Sequence, residues 1–310
     1  MSAFKRAILL AALGAIAVGV GAETIDSVTD TSVVVVRISR MRSDPGVSWL
    51  SESWLTTDRE TPLRDFLSEV SYQEAAVAVL PYGPGDPQRI VMVVETEAAP
   101  STSLLNATVL GGLPTSSRTA AGTSVTFASN PPEGEDFAAY AVVGTTLILG
   151  SDADAVAEML SGSPLSVSDG YRQMASFVDT ESDGLLFADN QGQRFADFLG
   201  PLERKWQMSL LLSAADLEWM ASGFDVVDSN RVTGTIVFKG QSSSAVPDIA
   251  DDAEFLGETF RRKFVAEEID YTSNVIIDGT VVTLEFTVEG LEPLWLRLFE
   301  QGVLSVIRPE

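Results

Sequence analysis

The chain has 310 residues, 45% of them hydrophobic, with 44 Asp and Glu against 20 Lys and Arg and with neither cysteine nor histidine. That length and apolar fraction exclude global disorder and leave room for one large domain or two of ordinary size. Without His or Cys there is no Ser-His-Asp or Cys-His site, no zinc site of the usual His/Cys kind and no haem held by those residues, so catalysis would fall to carboxylates, Tyr, Lys, Arg and hydroxyls.

Residues 1–22 have the build of a secretory signal. Lys5 and Arg6 precede an apolar run over 7–20, and Val20-Gly21-Ala22 offers small residues for cleavage before Glu23. The run is shorter than the roughly 20 residues that a membrane-spanning helix needs. The chain is therefore read as exported, periplasmic or extracellular after cleavage near Ala22, with an uncleaved N-terminal anchor as the alternative. No cysteine is present for lipid attachment, and stability must come from burial instead of disulfides. Loss of Lys5 and Arg6 takes the formal charge from −24 to −26. Such a surface repels nucleic-acid phosphate and anionic lipid headgroups, so both are excluded as partners. The acidity serves solubility or a saline habitat, and composition does not separate the two.

In chain order, the β-branched run at 33–38 predicts a buried strand. Thr61 and Pro62 open a short helix with Leu63, Phe66, Leu67 and Val70 on one face. Residues 75–80 and 89–95 predict a hairpin across the Pro- and Gly-rich stretch 82–87. Residues 111–124 lack an apolar period and read as a mobile loop. Residues 137–143 and 146–150 predict a second hairpin across Gly144-Thr145, followed by a helix capped at Ser151 that carries Val156, Met159 and Leu160. In the second half, 185–188 reads as a strand, 195–199 as helix, and Pro201 as the start of an insertion reaching Trp219. Residues 224–227 and 231–239 then pair, 252–264 form an amphipathic helix, and 271–277 pair with 281–289 across a primed turn at Asp278-Gly279. A final helix carries Leu291, Leu294, Trp295, Leu298 and Phe299.

Two dissimilar motifs recur at matched spacing. Asp65-Phe66-Leu67 is echoed by Asp197-Phe198-Leu199 and the Gly144 turn by the Gly279 turn, 79 residues on in the first case and 82 in the second. The expected fold class is α+β: two tandem repeats of an α/β unit, 23–165 and 166–310, with mainly antiparallel sheets covered by helices.

The segment Tyr140-Ala141-Val142-Val143-Gly144-Thr145-Thr146-Leu147-Ile148-Leu149-Gly150, running into the Ser151 helix, resembles a recurrent hairpin-plus-helix pattern of exported bacterial families catalogued as domains of unknown function. In those families, too, a Val-rich strand follows the export signal. The resemblance implies an envelope location and brings no catalytic residues.

Four constellations bear on chemistry. Asp179, Glu181 and Asp183 alternate before Gly184 like the opening of a calcium loop, but the closing position is Asn190 where a bidentate Glu is required, so a solvated turn is expected and no metal site. Asp278-Gly279-Thr280 has the residues of an aspartic-protease loop in the wrong order, and the Gly144 turn supplies no second acid. Asp65 and Asp197 recur once per half as a conceivable carboxylate pair, although Arg64 and Arg194 stand beside them as salt-bridge partners. Trp49 and Trp54 flank a polar stretch and either line a binding surface or cover a core edge. No catalytic, cofactor-binding or metal-binding residue is therefore assigned, and no cofactor is expected. The functional expectation is an exported non-enzymatic envelope protein that binds an apolar small ligand or an envelope partner. The alternatives are a carboxylate-dependent hydrolase of glycosidase type and a structural surface component.

Overall fold

The computed structural model describes residues 23–39, 72–81, 89–131, 137–180, 182–206, 211–228, 230–266 and 268–291. At the centre lies β1 (Val34–Ser39), a β-branched strand flanked on both sides. It pairs antiparallel with β2 (Tyr72–Leu80), Val36 opposite Val77, and with β8 (Gly184–Asp189), Val36 opposite Leu186. On the first side β2 continues to β3 (Arg89–Thr96), β7 (Thr146–Gly150), β6 (Ala139–Val143), β5 (Thr123–Ala128) and β4 (Thr115–Ala120). On the second side β8 continues to β9 (Leu217–Asp228), β10 (Arg231–Gly240), β12 (Val281–Glu289) and β11 (Asp270–Asp278). Among the described residues these twelve strands form one sheet with β4 and β11 at its edges.

Alternation along each strand sorts the core onto two faces. On one face Val35, Ala76, Ala78, Val91, Val93, Leu185, Phe187 and Trp219 lie under α1 (Glu23–Asp26), α3 (Ala153–Ser161) and α4 (Asp169–Met174). This cluster draws on both sides of residue 165. On the other face α2 (Thr102–Thr108) inserts Leu105 over β2, β3 and β7, while α5 (Arg194–Trp206) and α6 (Val246–Ala266) cover the second half with Phe198, Ile249 and Ala253.

This architecture corrects the expectation of two α/β repeats whose separate sheets are covered by helices. The antiparallel β1–β8 pair welds both halves into a single twelve-stranded sheet, and the helices are patches on a mainly β structure. The physical reason is that a strand as apolar as Val33-Val34-Val35-Val36 needs neighbours on both edges and cover on both faces, and only the other half of the chain supplies the second edge.

Local expectations fare unevenly. The stretch expected to be a loop at 111–124 contains β4 and its turn into β5: Ala121 and Gly122 both take positive φ, +46° and +82°, as a two-residue hairpin turn of the primed kind requires. Its strand sequence, Thr-Ser-Ser-Arg-Thr-Ala, is exposed on both faces and so shows no alternation. The insertion expected from Pro201 to Trp219 is instead the continuation of α5 to Trp206 and the start of β9 at Leu217. The helix expected from 252 begins at Val246, and the cap of α3 is Asp152, one residue later than expected, accepting from the Ala155 N–H at 2.7 Å. The hairpins at 72–96, 139–150 and 270–289 form, and the last two carry Gly144 and Gly279 at φ near +60° in two-residue loops.

Candidate functional site

The sequence of α6 explains its position. Pro247 and Asp248 open it, Arg261, Arg262 and Lys263 close it in accord with the helix dipole, and Ile249, Ala253 and Gly257 recur at a spacing of four on the buried side. Gly257 brings the helix down onto the edge strand: a Cβ there would stand 2.9 Å from the Ser273 Oγ and 3.3 Å from Leu284 Cδ1. The neighbouring stripe of the same helix, Glu254, Glu258 and Arg261, overhangs β11. Between that stripe and residues 271–275 runs an open groove of about 480 Å³ with Leu284 in its floor.

Charge in the groove is unevenly compensated. Arg261 donates to Glu258 from Nε at 2.9 Å and from Nη2 at 2.5 Å, and Arg262 Nε donates to its other oxygen at 3.2 Å. Those hydrogen bonds, from Arg261 first, hold the Glu258 carboxyl below its usual pKa. Glu254 is exposed and has no ion pair among the described residues. At the far end Tyr271 is 5% exposed, stacked on Phe264 at 5.5 Å and on Phe286 at 6.5 Å, with Phe260 edge-on at 6.2 Å. Burial raises its phenol pKa, and the nearby Ser273 hydroxyl lowers it in part, yet the Tyr271 hydroxyl meets no partner in hydrogen-bonding geometry.

The residues singled out from the sequence lie elsewhere. Asp183 ties two strands together: its Oδ2 accepts from the Val226 N–H at 2.6 Å while its own N–H donates to Asp225 at 3.0 Å. Asn190 is buried and bridges backbone groups of three segments, and Asp179 is exposed. Among the described residues no three acids cluster as a metal site. Asp278 is exposed at the end of β11, and Asp197 is exposed on α5. Trp49, Trp54, Arg64, Asp65 and Glu181 lie outside the described residues. The groove residues gave no motif. The only sequence signal was the amphipathic helix followed by an apolar hairpin strand ending in Asp-Gly-Thr.

One acid outside the groove titrates in a predictable sense. Burial raises the pKa of Asp189 at the end of β8, with the Gln191 N–H and Arg194 opposing. A raised folded-state pKa means that the folded protein binds the proton more tightly than the unfolded one, so this group adds stability as pH falls through the raised value towards 3.8. In urea titrations the stability of Asp189→Asn relative to the unaltered protein is expected to decline as pH falls from neutral into that window. A pH-independent difference would contradict it.

No protein-family model and no curated protein matches the chain. Among solved structures, crystal form I of a protein named TP0453 matches with a TM-score of 0.48 and 11% identity, over 93% of this chain and 99% of that one. A likeness at that level carries neither fold nor function across. Among the described residues no helix is long and apolar enough to cross a membrane.

Proposed function

We propose that this is an exported, non-enzymatic protein of the cell envelope that holds an extended segment of a partner protein in the groove between α6 and β11. The carrying observation is the open edge of β11, which pairs only with β12 among the described residues and faces a groove instead of another strand. Strand addition at such an edge is a recurrent mode of protein recognition, with backbone hydrogen bonds supplying affinity. An apolar carrier needs an enclosed cavity, whereas this groove is open and rimmed by charge. A glycosidase needs a general acid with a raised pKa across a cleft from a second carboxylate. Here Glu254 and Glu258 share one helix face, and the pKa of Glu258 is lowered.

Export is supported by the N-terminal join. Thr24, Ile25 and Val28, the residues just after the expected cleavage point, are already built into the core. Mass spectrometry of the native protein is expected to find Glu23 as the first residue, and intact Met1 in a membrane fraction would contradict export with cleavage. For the groove, a photo-crosslinking residue at Asn274 is expected to capture a discrete envelope partner in cells, while one at Ser117 on the opposite edge captures none. Equal capture from both edges, or none from Asn274, would defeat the reading.

A further inference from the structure

We infer that the segment held by this groove is cationic and pairs with β11 as an added strand; this rests on the groove being the binding site. The backbone geometry comes first. A two-residue loop makes Asp278 and Val281 the closing hydrogen-bonded pair of the β11–β12 hairpin. Alternate residues therefore turn their N–H and C=O groups away from β12, and these are Tyr271, Ser273, Val275 and Ile277. The far side of β12 agrees: the Gly240 N–H donates to the Thr280 carbonyl at 2.8 Å, the phase that turns Val281 towards β11.

Natural edge strands are protected by Lys, Pro, bulges or cover. The opposite edge, β4, follows that rule, with a polar sequence and Arg118 anchored to Asp154. By contrast, β11 reads Asp-Tyr-Thr-Ser-Asn-Val-Ile-Ile-Asp, without Pro, Lys, Arg or a register shift, and its Ile276 and Ile277 are 43% and 55% exposed.

Charge identifies the occupant. Glu254, Asp251 one turn earlier on α6, and Asp278 at the strand end are exposed acids; Arg261 and Arg262 exceed their shared partner Glu258 by one positive charge, so these four acids and two arginines leave a net −2. The whole chain carries −24. A cationic segment is drawn to such a surface and registers its Lys or Arg over Glu254. A second copy of this chain fits poorly in the register of fullest overlap. Antiparallel self-pairing centred on Asn274 sets Asp270 of each strand opposite Asp278 of the other, and like charges directly opposite are destabilising.

The test uses the chain from Glu23 onward and two nine-residue peptides, matched in length to β11, that alternate Val and Thr with either Lys or Glu. Fluorescence anisotropy and amide hydrogen exchange are the readouts. The Lys peptide is expected to bind, to weaken as salt rises, and to protect the amides of Tyr271, Ser273, Val275 and Ile277. The Glu peptide is expected to bind at least about tenfold more weakly, and Glu254→Lys to shift that preference by about tenfold towards it. Val275→Pro removes one outward N–H without breaking the ladder to β12 and is expected to abolish protection. Equal binding of both peptides with β11 protected overturns the charge inference and leaves the groove reading intact. Absence of protection by either peptide, while Asn274 still captures a partner in cells, overturns strand addition. Absence of both brings down the groove reading as well. A concentration-dependent dimer that protects the same amides without peptide makes the occupant a second copy and also overturns the inference.

Discussion

Glu74→Ala is expected to cost about 3–5 kcal/mol of unfolding free energy, because it strands a charge in the middle of the sheet. Arg37 is 1% exposed within β1, its Nε stands 3.8 Å from Glu74, and its Nη2 donates to the Ser182 carbonyl at 2.9 Å. Neither Nε nor Nη1 makes a hydrogen bond, so Glu74 supplies compensation that no described hydrogen bond to those atoms replaces. The same carboxylate accepts from the Thr24 hydroxyl at 2.5 Å, and its loss therefore also removes a tie between α1 and β2. Chemical denaturation of the purified chain measures the effect. The double variant Arg37→Met, Glu74→Leu removes both charges and should recover most of the loss, since a well-packed apolar pair commonly matches a buried ion pair in stability. A single-variant loss under about 1 kcal/mol would show the pair to be solvated in solution.

Asn190→Ala is the second change with a large expected effect, about 3 kcal/mol or more. Its Nδ2 donates to the carbonyls of Ala214 at 2.8 Å and Leu217 at 2.7 Å, and its Oδ1 accepts from the Ala196 N–H at 3.1 Å. The side chain thus bolts β8 to the first turn of α5 and to the entry of β9, and it is 2% exposed. Alanine removes three hydrogen bonds from a dry site and takes the side-chain acceptor from the Ala196 N–H, while the Leu217 carbonyl keeps Gln241 Nε2 at 2.9 Å and the Ala214 carbonyl keeps the Leu217 N–H. Asn190→Asp keeps the shape but loses the amide donor and turns carboxylate oxygens towards two carbonyls, so it should be at least as damaging at neutral pH. If Asn190→Asp were tolerated, the site would be wetter than the structure shows.

These two residues illustrate what was and was not legible in the chain. Asn190 drew notice only as the wrong residue to close a calcium loop; its bonds reach 24 and 27 residues along the chain, to groups that no local pattern connects. Glu74 and Thr24, 50 residues apart, carried no signal at all. The β4–β5 hairpin was invisible for a different reason: a strand exposed on both faces has no burial to impose alternation, so its sequence looks like a loop. The groove escaped because its parts are backbone groups of β11 and a helix stripe that acquires meaning only when Gly257 sets the helix against the strand.

By itself the sequence determined the features whose physics is local. The absence of His and Cys set which side chains are available for chemistry, and Gly144 and Gly279 marked turns because a positive φ suits glycine. The apolar spacing of α3 and α6 marked amphipathic helices, because the period of a helix decides which residues share a face. Only the tertiary structure decided that the strands form one sheet and not two. Strand order depends on pairings such as β1 with β8, about 150 residues apart, where any apolar strand is locally an acceptable neighbour and the choice follows from burying both faces of the whole sheet at once. The same long-range choice left β11 at the edge, and with it a groove in which outward backbone groups and exposed acids meet.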